Sequence, residues 1–272
     1  QLTYHNGSTD LVFWEENDSD YTHNYEYSYQ IDDEEQGHKT TVTETMNVPI
    51  KVIDTVKNIT EEKDILVPVY HTDIPIITNK TIQQGNISKG TLDKIYYKVD
   101  GKDTDFKEWT GSYNLDPGVY TITSYQTLKE ESIESNKTTR QIAIYNITDK
   151  IEYKNGSTNI TFDTDYKVDD VTPIYHHDET SGKTFTITED SRVDLKISDD
   201  EEQEVTDGRN YTVISTDSPK ITVDEDGHAS IDVGAIKNDT LDKIYYTTDN
   251  WNTKEVYTNP FVVTGKYTID AY

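Results

Sequence analysis

Two short loops carry aspartates at spacings that suit a divalent cation. The first loop holds Asp100, Asp103 and Asp105, and the second is an Asp-x-Asp-Gly turn that contains Asp224 and Asp226. Carboxylate oxygens held close together on a tight turn are the ligands that Ca²⁺ prefers. Neither loop supplies a complete EF-type ligand set, and aspartates also cap ordinary turns. We therefore expect either a calcium site or plain turn capping here, and no cofactor is required.

Aromatic side chains are a second source of binding chemistry. Trp109 and Trp251 could stack on sugar rings, as could some of the 21 tyrosines. Aromatic residues at alternate positions of a strand also form core contacts and cross-strand pairs. The sequence thus leaves two roles open for these tryptophans, as ligand contacts or as packing residues.

Motifs for catalysis are missing from the sequence. It contains no Gly-x-Ser-x-Gly elbow, no His-Glu-x-x-His pair and no phosphate-binding glycine loop. Carboxylate pairs are uninformative in a chain with 52 acidic residues. His176 and His177 stand beside Asp178, but no further cluster of metal ligands follows them. We therefore predict that the chain is not an enzyme.

The composition excludes several classes of partner. A formal net charge of −27 disfavours nucleic acid and anionic membranes, since both would be repelled. No apolar run approaches the roughly 18 residues of a membrane span, so we expect no direct membrane insertion. The chain has no cysteine, which removes disulfides and Cys-ligated metals. It begins with Gln1 rather than Met, which suggests a processed N-terminus or an excised fragment.

Sequons for N-glycosylation are dense. Eleven of the 17 asparagines begin an Asn-x-Ser/Thr sequence, whereas a chain with this Ser and Thr content would contain roughly three or four by chance. Asparagine and threonine are also common in polar turns. Dense sequons without cysteine indicate an archaeal surface glycoprotein rather than a eukaryotic secreted domain. The predicted glycan acceptors are Asn6, Asn17, Asn58, Asn79, Asn86, Asn136, Asn146, Asn155, Asn159, Asn210 and Asn238.

A repeat organises the chain. The seven residues 91–97 return unchanged at 240–246, and the same spacing of 149 relates residues 4–13 to residues 153–162. Two landmarks that share one offset predict a duplicated chain. We predict four domains: a β-sandwich at residues 1–89, an Ig-like domain at 90–149, a repeat of the first at 150–236, and a partial repeat of the second at 237–272.

Strand patterns predict the fold class. Short β-branched segments are separated by Pro-Gly and Asp-Gly turns, and no sustained helical stripe occurs. In residues 193–197 the apolar Val193, Leu195 and Ile197 alternate with Asp194 and Lys196, which is typical of a half-buried strand. We therefore predict an all-β protein built from tandem Ig-like antiparallel β-sandwich domains.

The repeat also predicts an incomplete last domain. The counterpart of the strand near residues 140–145 would fall beyond residue 272. Either the chain belongs to a longer array, or a neighbouring subunit completes the open sandwich. In the second case the expected donor strand is Gln1, Leu2, Thr3 and Tyr4, which would join copies of the chain head to tail in a filament.

Three short motifs in the closing segment carry a family resemblance. They are Ile-Tyr-Tyr-Thr-Thr-Asp at residues 244–249, Tyr-Thr-Asn-Pro-Phe at 257–261 and Thr-Ile-Asp-Ala at 268–271. Together they resemble the chitobiase/β-hexosaminidase C-terminal-type domain, and residues 94–125 match it less closely. Asn250 stands where that family often has glycine. The resemblance implies an Ig-like, non-catalytic module of a secreted or surface protein. The repeats as a whole look like those of archaeal adhesin-like and S-layer-type proteins.

These observations lead to one expected function and two alternatives. We expect an extracellular structural glycoprotein of the cell surface that forms a fibre, stalk or lattice, with further copies of itself as the main partner. Other surface proteins or glycans are further expected partners. The alternatives are a carbohydrate-binding adhesin and the accessory region of a secreted glycoside hydrolase.

Overall fold

A computed structural model of the chain describes residues 1–12, 27–31, 34–36, 39–54, 58–264 and 268–272. The chain divides into two compact units, unit 1 (Gln1–Ile144) and unit 2 (Tyr145–Tyr272). The described secondary structure consists of antiparallel strands in small sheets, so the all-β prediction is confirmed. No helix among the described residues could cross a lipid bilayer. The predicted sequon Asn17 lies outside the described residues.

Unit 1 contains five described sheets. Their strand orders are β1-β2-β5, β4-β3-β6-β7, β8-β11, β9-β10 and β13-β12-β14-β15. The strands are β1 (Leu2–His5), β2 (Ser8–Val12), β3 (Tyr27–Ile31), β4 (Glu34–Gln36), β5 (Lys39–Val42), β6 (Met46–Asp54), β7 (Ile59–Val67), β8 (His71–Thr72), β9 (Ile76–Ile77), β10 (Ile82–Gln83), β11 (Ile87–Lys89), β12 (Leu92–Val99), β13 (Lys107–Glu108), β14 (Gly118–Leu128) and β15 (Thr138–Ile144).

Unit 2 also contains five described sheets. Their orders are β16-β17-β20, β19-β18-β21-β22, β23-β26, β24-β25-β29 and β28-β27-β30. The strands are β16 (Thr148–Lys154), β17 (Ser157–Asp163), β18 (Ile174–His177), β19 (Thr180–Ser181), β20 (Thr184–Ile187), β21 (Ser191–Ser198), β22 (Glu204–Tyr211), β23 (Ser215–Thr216), β24 (Lys220–Val223), β25 (His228–Asp232), β26 (Ile236–Lys237), β27 (Tyr245–Thr247), β28 (Glu255–Val256), β29 (Phe261–Val262) and β30 (Asp270–Ala271).

The two units repeat one order of sheets. The three-stranded sheet β1-β2-β5 corresponds to β16-β17-β20, and the four-stranded sheet β4-β3-β6-β7 corresponds to β19-β18-β21-β22. The pair β8-β11 corresponds to β23-β26, and β13-β12-β14 corresponds to β28-β27-β30. Strand β15, which pairs with β14 in unit 1, has no counterpart among the described residues of unit 2.

Alternating apolar side chains form the core of each unit. In β21, Val193, Leu195 and Ile197 are buried while Asp194 is exposed, as their alternation predicts. Two apolar clusters occur among the described residues of unit 1. One contains Leu11, Val48, Ile50 and Val67, and the other contains Ile77, Ile82, Val99, Ile122 and Ile142. These clusters hold the sheets together, because burial of apolar surface is the main favourable term in folding.

A two-residue Asn-Gly turn opens each unit. Asn6 and Gly7 join β1 to β2, and Asn155 and Gly156 join β16 to β17. The glycines have φ values of 83° and 77°, a left-handed conformation that glycine adopts without strain. Asn-Gly is the dipeptide that favours this tight hairpin turn. The turn places each asparagine side chain at the tip of its hairpin.

Candidate functional site

The hairpin tip of unit 1 is fastened by the side-chain amide of Asn6. Its Nδ2 donates to the carbonyl oxygen of Thr72 at 2.8 Å, and its Oδ1 accepts from the backbone N–H of Thr72 at 2.8 Å. The N–H of Gly7 donates to the carbonyl oxygen of Tyr70 at 2.8 Å. The side-chain amide therefore pairs with Thr72 as the backbone of a neighbouring strand residue would. We call these three hydrogen bonds, from Asn6 and Gly7 to Tyr70 and Thr72, the hairpin clasp.

Unit 2 contains the same hairpin clasp. Asn155 Nδ2 donates to the carbonyl oxygen of Thr216 at 3.0 Å, and Asn155 Oδ1 accepts from the N–H of Thr216 at 2.8 Å. The N–H of Gly156 donates to the carbonyl oxygen of Ile214 at 3.0 Å. The sequon pattern predicts both asparagines only as glycan acceptors. The Asn-Gly dipeptide is the local signal for their place in a hairpin turn.

The remaining sequons differ in how accessible their asparagines are. Asn79 is fully buried, and its Oδ1 accepts from the backbone N–H of Ala143 at 3.0 Å. A glycan on Asn79 is incompatible with this packing, so that residue is unsuited as an acceptor in the folded unit. Four exposed sequon asparagines make no side-chain hydrogen bond to another described residue: Asn58, Asn86, Asn136 and Asn210.

Besides Asn155, three sequons of unit 2 have side-chain amides that already make hydrogen bonds. Asn238 Nδ2 donates to both carboxylate oxygens of Asp190 and to a backbone carbonyl. Asn146 Nδ2 donates to Asp165 at 2.8 Å. Asn159 accepts from a threonine hydroxyl through Oδ1. A glycan replaces one of the two Nδ2 hydrogens. Glycosylation of Asn238 would therefore remove hydrogen bonds to Asp190 or to the backbone. The side chains of Asn58, Asn86, Asn136 and Asn210 have no such hydrogen bonds to described residues.

In unit 1, buried side chains of β14 fill the space beside β12. Gln126 is fully buried, and its Oε1 accepts from the N–H of Gly85 at 2.9 Å. Its Nε2 donates to the carbonyl oxygen of Gly85 at 3.2 Å and to Thr72 Oγ1. Two residues further on, the buried Leu128 pairs with Leu92 of β12. Gln126 therefore forms hydrogen bonds with both the N–H and the carbonyl oxygen of Gly85.

Unit 2 has an open groove at the corresponding place. Tyr272 pairs with Tyr245 through two backbone hydrogen bonds of 3.0 Å, and their rings stack with centroids 5.4 Å apart. In unit 1 the stacked pair is Tyr96 and Tyr125, at 5.2 Å, so Tyr272 holds the position of Tyr125. No described residue holds the positions that correspond to residues 126–128. A cavity of about 430 Å³ lies there, the unit 2 groove, lined among others by Thr216, Gly234, Thr240, Leu241, Ile244 and Tyr272.

The repeated heptapeptide has different secondary structure in the two units. Residues 91–97 and 240–246 share all seven residues, yet the first segment is in a strand from Leu92 onward, whereas the second enters β27 only at Tyr245. The backbone of residues 241–243 makes no hydrogen bond to another described residue. Leu241 is 47 % exposed. The difference lies in the pairing partner, because residues 126–128 complete the strand only in unit 1.

No known family model matches this chain, and no curated protein matches it in sequence.

The two aspartate loops use their carboxylates within the turns. Asp103 accepts from the N–H of Val99 at 3.0 Å and pairs with Lys107 at 2.7 Å. Burial raises the pKa of Asp103, but the Lys107 and Val99 hydrogen bonds outweigh it and hold the pKa below its usual value. Asp224 accepts from the N–H of His228 at 2.7 Å, which lowers its pKa.

These contacts support the turn-capping role directly. Asp100, Asp105 and Asp226 are exposed. No group of three or more His, Asp or Glu side chains suited to a metal ion occurs in the described part of the chain. Calcium binding at either loop stays a prediction.

The two predicted ligand-binding tryptophans lie in different settings. Trp109 packs in an aromatic cluster with Tyr97, at 5.4 Å between ring centroids, and with Tyr113, at 4.8 Å. That cluster borders the apolar core of unit 1. Trp251 is 41 % exposed, and its ring lies 5.1 Å from that of Tyr272. Trp251 is thus available to a ligand, whereas Trp109 supports the core.

The predicted donor strand is engaged in its own hairpin. Leu2, Thr3 and Tyr4 belong to β1 and pair with β2 of the same chain. The N-terminal amino group of Gln1 donates to the carbonyl oxygen of Val12 at 2.8 Å, and the N–H of Val12 donates back to Gln1 at 2.8 Å. Donation of this segment to another copy would require the hairpin to open.

A cluster of polar side chains surrounds the carboxylate of Asp10 in that hairpin. Asp10 is largely buried in β2, where it pairs with Lys39 and accepts from Thr41 Oγ1 at 2.7 Å and His5 Nε2 at 3.1 Å. The hydrogen bond from Lys39, followed by that from Thr41, lowers the pKa of Asp10 to about 2. The cluster ties β1, β2 and β5 together, and the lowered pKa predicts that unit 1 loses stability in acid.

Proposed function

We propose that the chain is an extracellular structural glycoprotein that forms part of a fibre, stalk or lattice on a cell surface. The observation that carries this proposal is the repetition of one framework. Four of the five described sheets of each unit correspond in order, and both units have the same hairpin clasp, formed by asparagines 149 residues apart. Repeated modules that reuse one set of contacts are typical of extended, array-forming proteins.

Glycan acceptors on both units support an extracellular setting. Unit 1 presents Asn58, Asn86 and Asn136, and unit 2 presents Asn210, all exposed and without side-chain partners among the described residues. Glycans at such positions shield the surface and its strand edges from other chains. We extend the proposal to tandem Ig-like β-sandwich modules, which the all-β sheets and the motifs of residues 244–271 support.

Labelling of intact cells tests the proposed location. Cells that produce the protein naturally would be treated with a membrane-impermeant amine reagent before lysis. We expect labelling of exposed lysines in both units, for example Lys63 and Lys150. Labelling that occurs only after lysis would contradict an extracellular location.

A carbohydrate-binding adhesin is the second candidate function, and one surface feature favours it. Trp251 and Tyr272 are 41 % and 55 % exposed and lie side by side, and Lys254 Nζ lies 4.6 Å from the centroid of the Tyr245 ring. An exposed pair of aromatic rings beside a charged group can stack on a sugar and bond its hydroxyls.

A glycan array distinguishes this second candidate. For an adhesin, the wild-type chain binds a defined set of glycans, Trp251→Ala abolishes binding, and Trp109→Phe, which keeps an aromatic ring at the core position, does not. Binding of no glycan by the wild-type chain would contradict the adhesin function and leave the structural one.

A further inference from the structure

The hairpin clasp uses one edge of each asparagine amide. Asn6 Oδ1 accepts from the N–H of Thr72, and Asn6 Nδ2 donates to the carbonyl oxygen of the same residue, both at 2.8 Å. Two hydrogen bonds to one residue must leave the amide side by side. Nδ2 therefore donates the hydrogen that lies on the same side of the C–N bond as Oδ1. Asn155 and Thr216 repeat this arrangement in unit 2.

An N-linked glycan would occupy the same edge of the amide. Glycosylation makes the side-chain amide secondary, and such amides are planar and trans like a peptide bond, so the sugar carbon lies on the Oδ1 side. The bond from Nδ2 to the sugar is about 1.46 Å long, so a sugar carbon on Asn6 would lie roughly 1.4 Å from the carbonyl oxygen of Thr72. Even close carbon–oxygen contacts are about 3.3 Å long.

Rotation of the amide does not remove this conflict. A half-turn would place Oδ1 of Asn6 against the carbonyl oxygen of Thr72, so that two acceptors face each other. The cis form of a secondary amide, which would move the sugar to the other side, is strongly disfavoured. We propose that a glycan and the hairpin clasp exclude each other at Asn6 and Asn155, so that these two sequons accept a glycan only before their hairpin is fastened.

The order of synthesis leaves an interval in which the sequon is available. Residues 6–8 complete the sequon, whereas Thr72 lies 66 positions after Asn6. At about 5–20 residues per second, roughly 3–13 s separate the two during synthesis. A glycan attached in that interval keeps the hairpin unfastened, and a hairpin that closes first keeps an unmodified asparagine. The glycan in this competition rests on the proposed glycoprotein function, whereas the geometry of the clasp does not depend on it.

The unmodified 272-residue chain tests the geometry of the clasp. Hydrogen exchange read by NMR distinguishes the two Nδ2 hydrogens of one asparagine. At Asn6 and Asn155 we expect the hydrogen on the Oδ1 side to exchange at least about tenfold more slowly than the other one. Both hydrogens of the exposed Asn136 should exchange at the fast rate. Protection of the opposite hydrogen, or of neither, would overturn the proposal, because a sugar would then displace no hydrogen bond of the clasp.

Separate glycoforms of the chain test the exclusion itself. The chain would be produced in a host that N-glycosylates secreted proteins, and mass spectrometry would measure exchange in molecules with and without a glycan at Asn6. We expect the amide of Thr72 to exchange at least about tenfold faster wherever Asn6 carries a glycan. Ser8→Ala is the matched control, because it removes the sequon and keeps the asparagine. Every Ser8→Ala molecule should therefore retain a slowly exchanging Thr72 amide.

The same comparison applies to unit 2, where Ser157→Ala removes the sequon of Asn155 and the Thr216 amide is the readout. A glycan on either clasp asparagine together with a slowly exchanging threonine amide would contradict the exclusion. A rapidly exchanging threonine amide without a glycan would contradict it as well, because the clasp would then not form. A glycan at the exposed Asn58 should leave both amides unchanged. Cell labelling tests the proposed function separately, so the two failures are distinguishable.

Discussion

The side-chain amide of Asn6 forms hydrogen bonds with both the N–H and the carbonyl oxygen of Thr72, each 2.8 Å long. Asn155 holds Thr216 in the same way in unit 2. The clasp fixes each opening hairpin to a segment 61 or 66 positions away in the chain. Such long-range bonds specify how sheets meet, which local strand propensity cannot do.

Removal of a clasp should destabilise its own unit. Asn6→Ala leaves both backbone groups of Thr72 without this partner, and we expect a loss of about 1–3 kcal/mol in the unfolding free energy of unit 1. Asn155 is exposed, so water replaces part of its bonding and Asn155→Ala should cost less, about 0.5–1.5 kcal/mol. Urea denaturation measures both, and the exposed sequon variant Asn136→Ala is the control. Equal stability of all three variants would contradict a structural role for the clasp.

The identical segments should exchange their amides at different rates. The amide of Lys94 lies in the paired part of β12, opposite Thr127, whereas Lys243 has no such partner among the described residues. We expect exchange at Lys243 at least about tenfold faster than at Lys94 in the 272-residue chain. Hydrogen exchange read by NMR measures both. Equal rates would mean that unit 2 closes this edge in solution.

Acid should weaken unit 1 through Asp10. Its pKa is lowered to about 2, below the usual value of about 3.9 for an unfolded chain. A lowered pKa contributes stability above pH 4 that is lost as the pH falls toward 2. We expect the stability of unit 1 to decline between pH 4 and pH 2, and Asp10→Asn to flatten this decline.

Thermal denaturation at a series of pH values measures this dependence. The exposed Asp93→Asn variant is the matched control and should keep the wild-type slope. An unchanged slope in Asp10→Asn would show that other groups cause the acid sensitivity.

Loss of the Trp109 ring should disrupt packing in unit 1. Its contacts with Tyr97 and Tyr113 border an apolar core, so Trp109→Ala should cost about 2–4 kcal/mol. The exposed Trp251→Ala should cost less than about 1 kcal/mol. Denaturant titration compares the two variants. A larger effect at Trp251 would reverse the assigned roles.

Sequence patterns predicted the features that depend on alternation. The in–out pattern of residues 193–197 is present in β21, and the all-β class follows from many such segments. The heptapeptide shows where local pattern stops being informative. In unit 1 this sequence forms a strand from Leu92 onward. In unit 2 the same sequence enters a strand only at Tyr245. Strand formation depends on a partner, and the partner is not encoded in the segment itself.

The sequons show a second limit of sequence reasoning. Asn6, Asn79 and Asn136 all satisfy the same three-residue pattern, yet the first is a clasp, the second is buried and the third is exposed. Accessibility depends on tertiary packing, which a short motif does not contain. Asn-Gly was the one local signal that could have separated Asn6 from the others.

Glycopeptide mapping of the protein from its natural source tests the central claim most directly. Mass spectrometry of protease digests would report the occupancy of each sequon. A sugar-coated structural protein with this fold predicts glycans at Asn58, Asn86, Asn136 and Asn210, and an unmodified Asn79. Unmodified asparagines at all four exposed sequons, or a glycan on Asn79, would contradict the account.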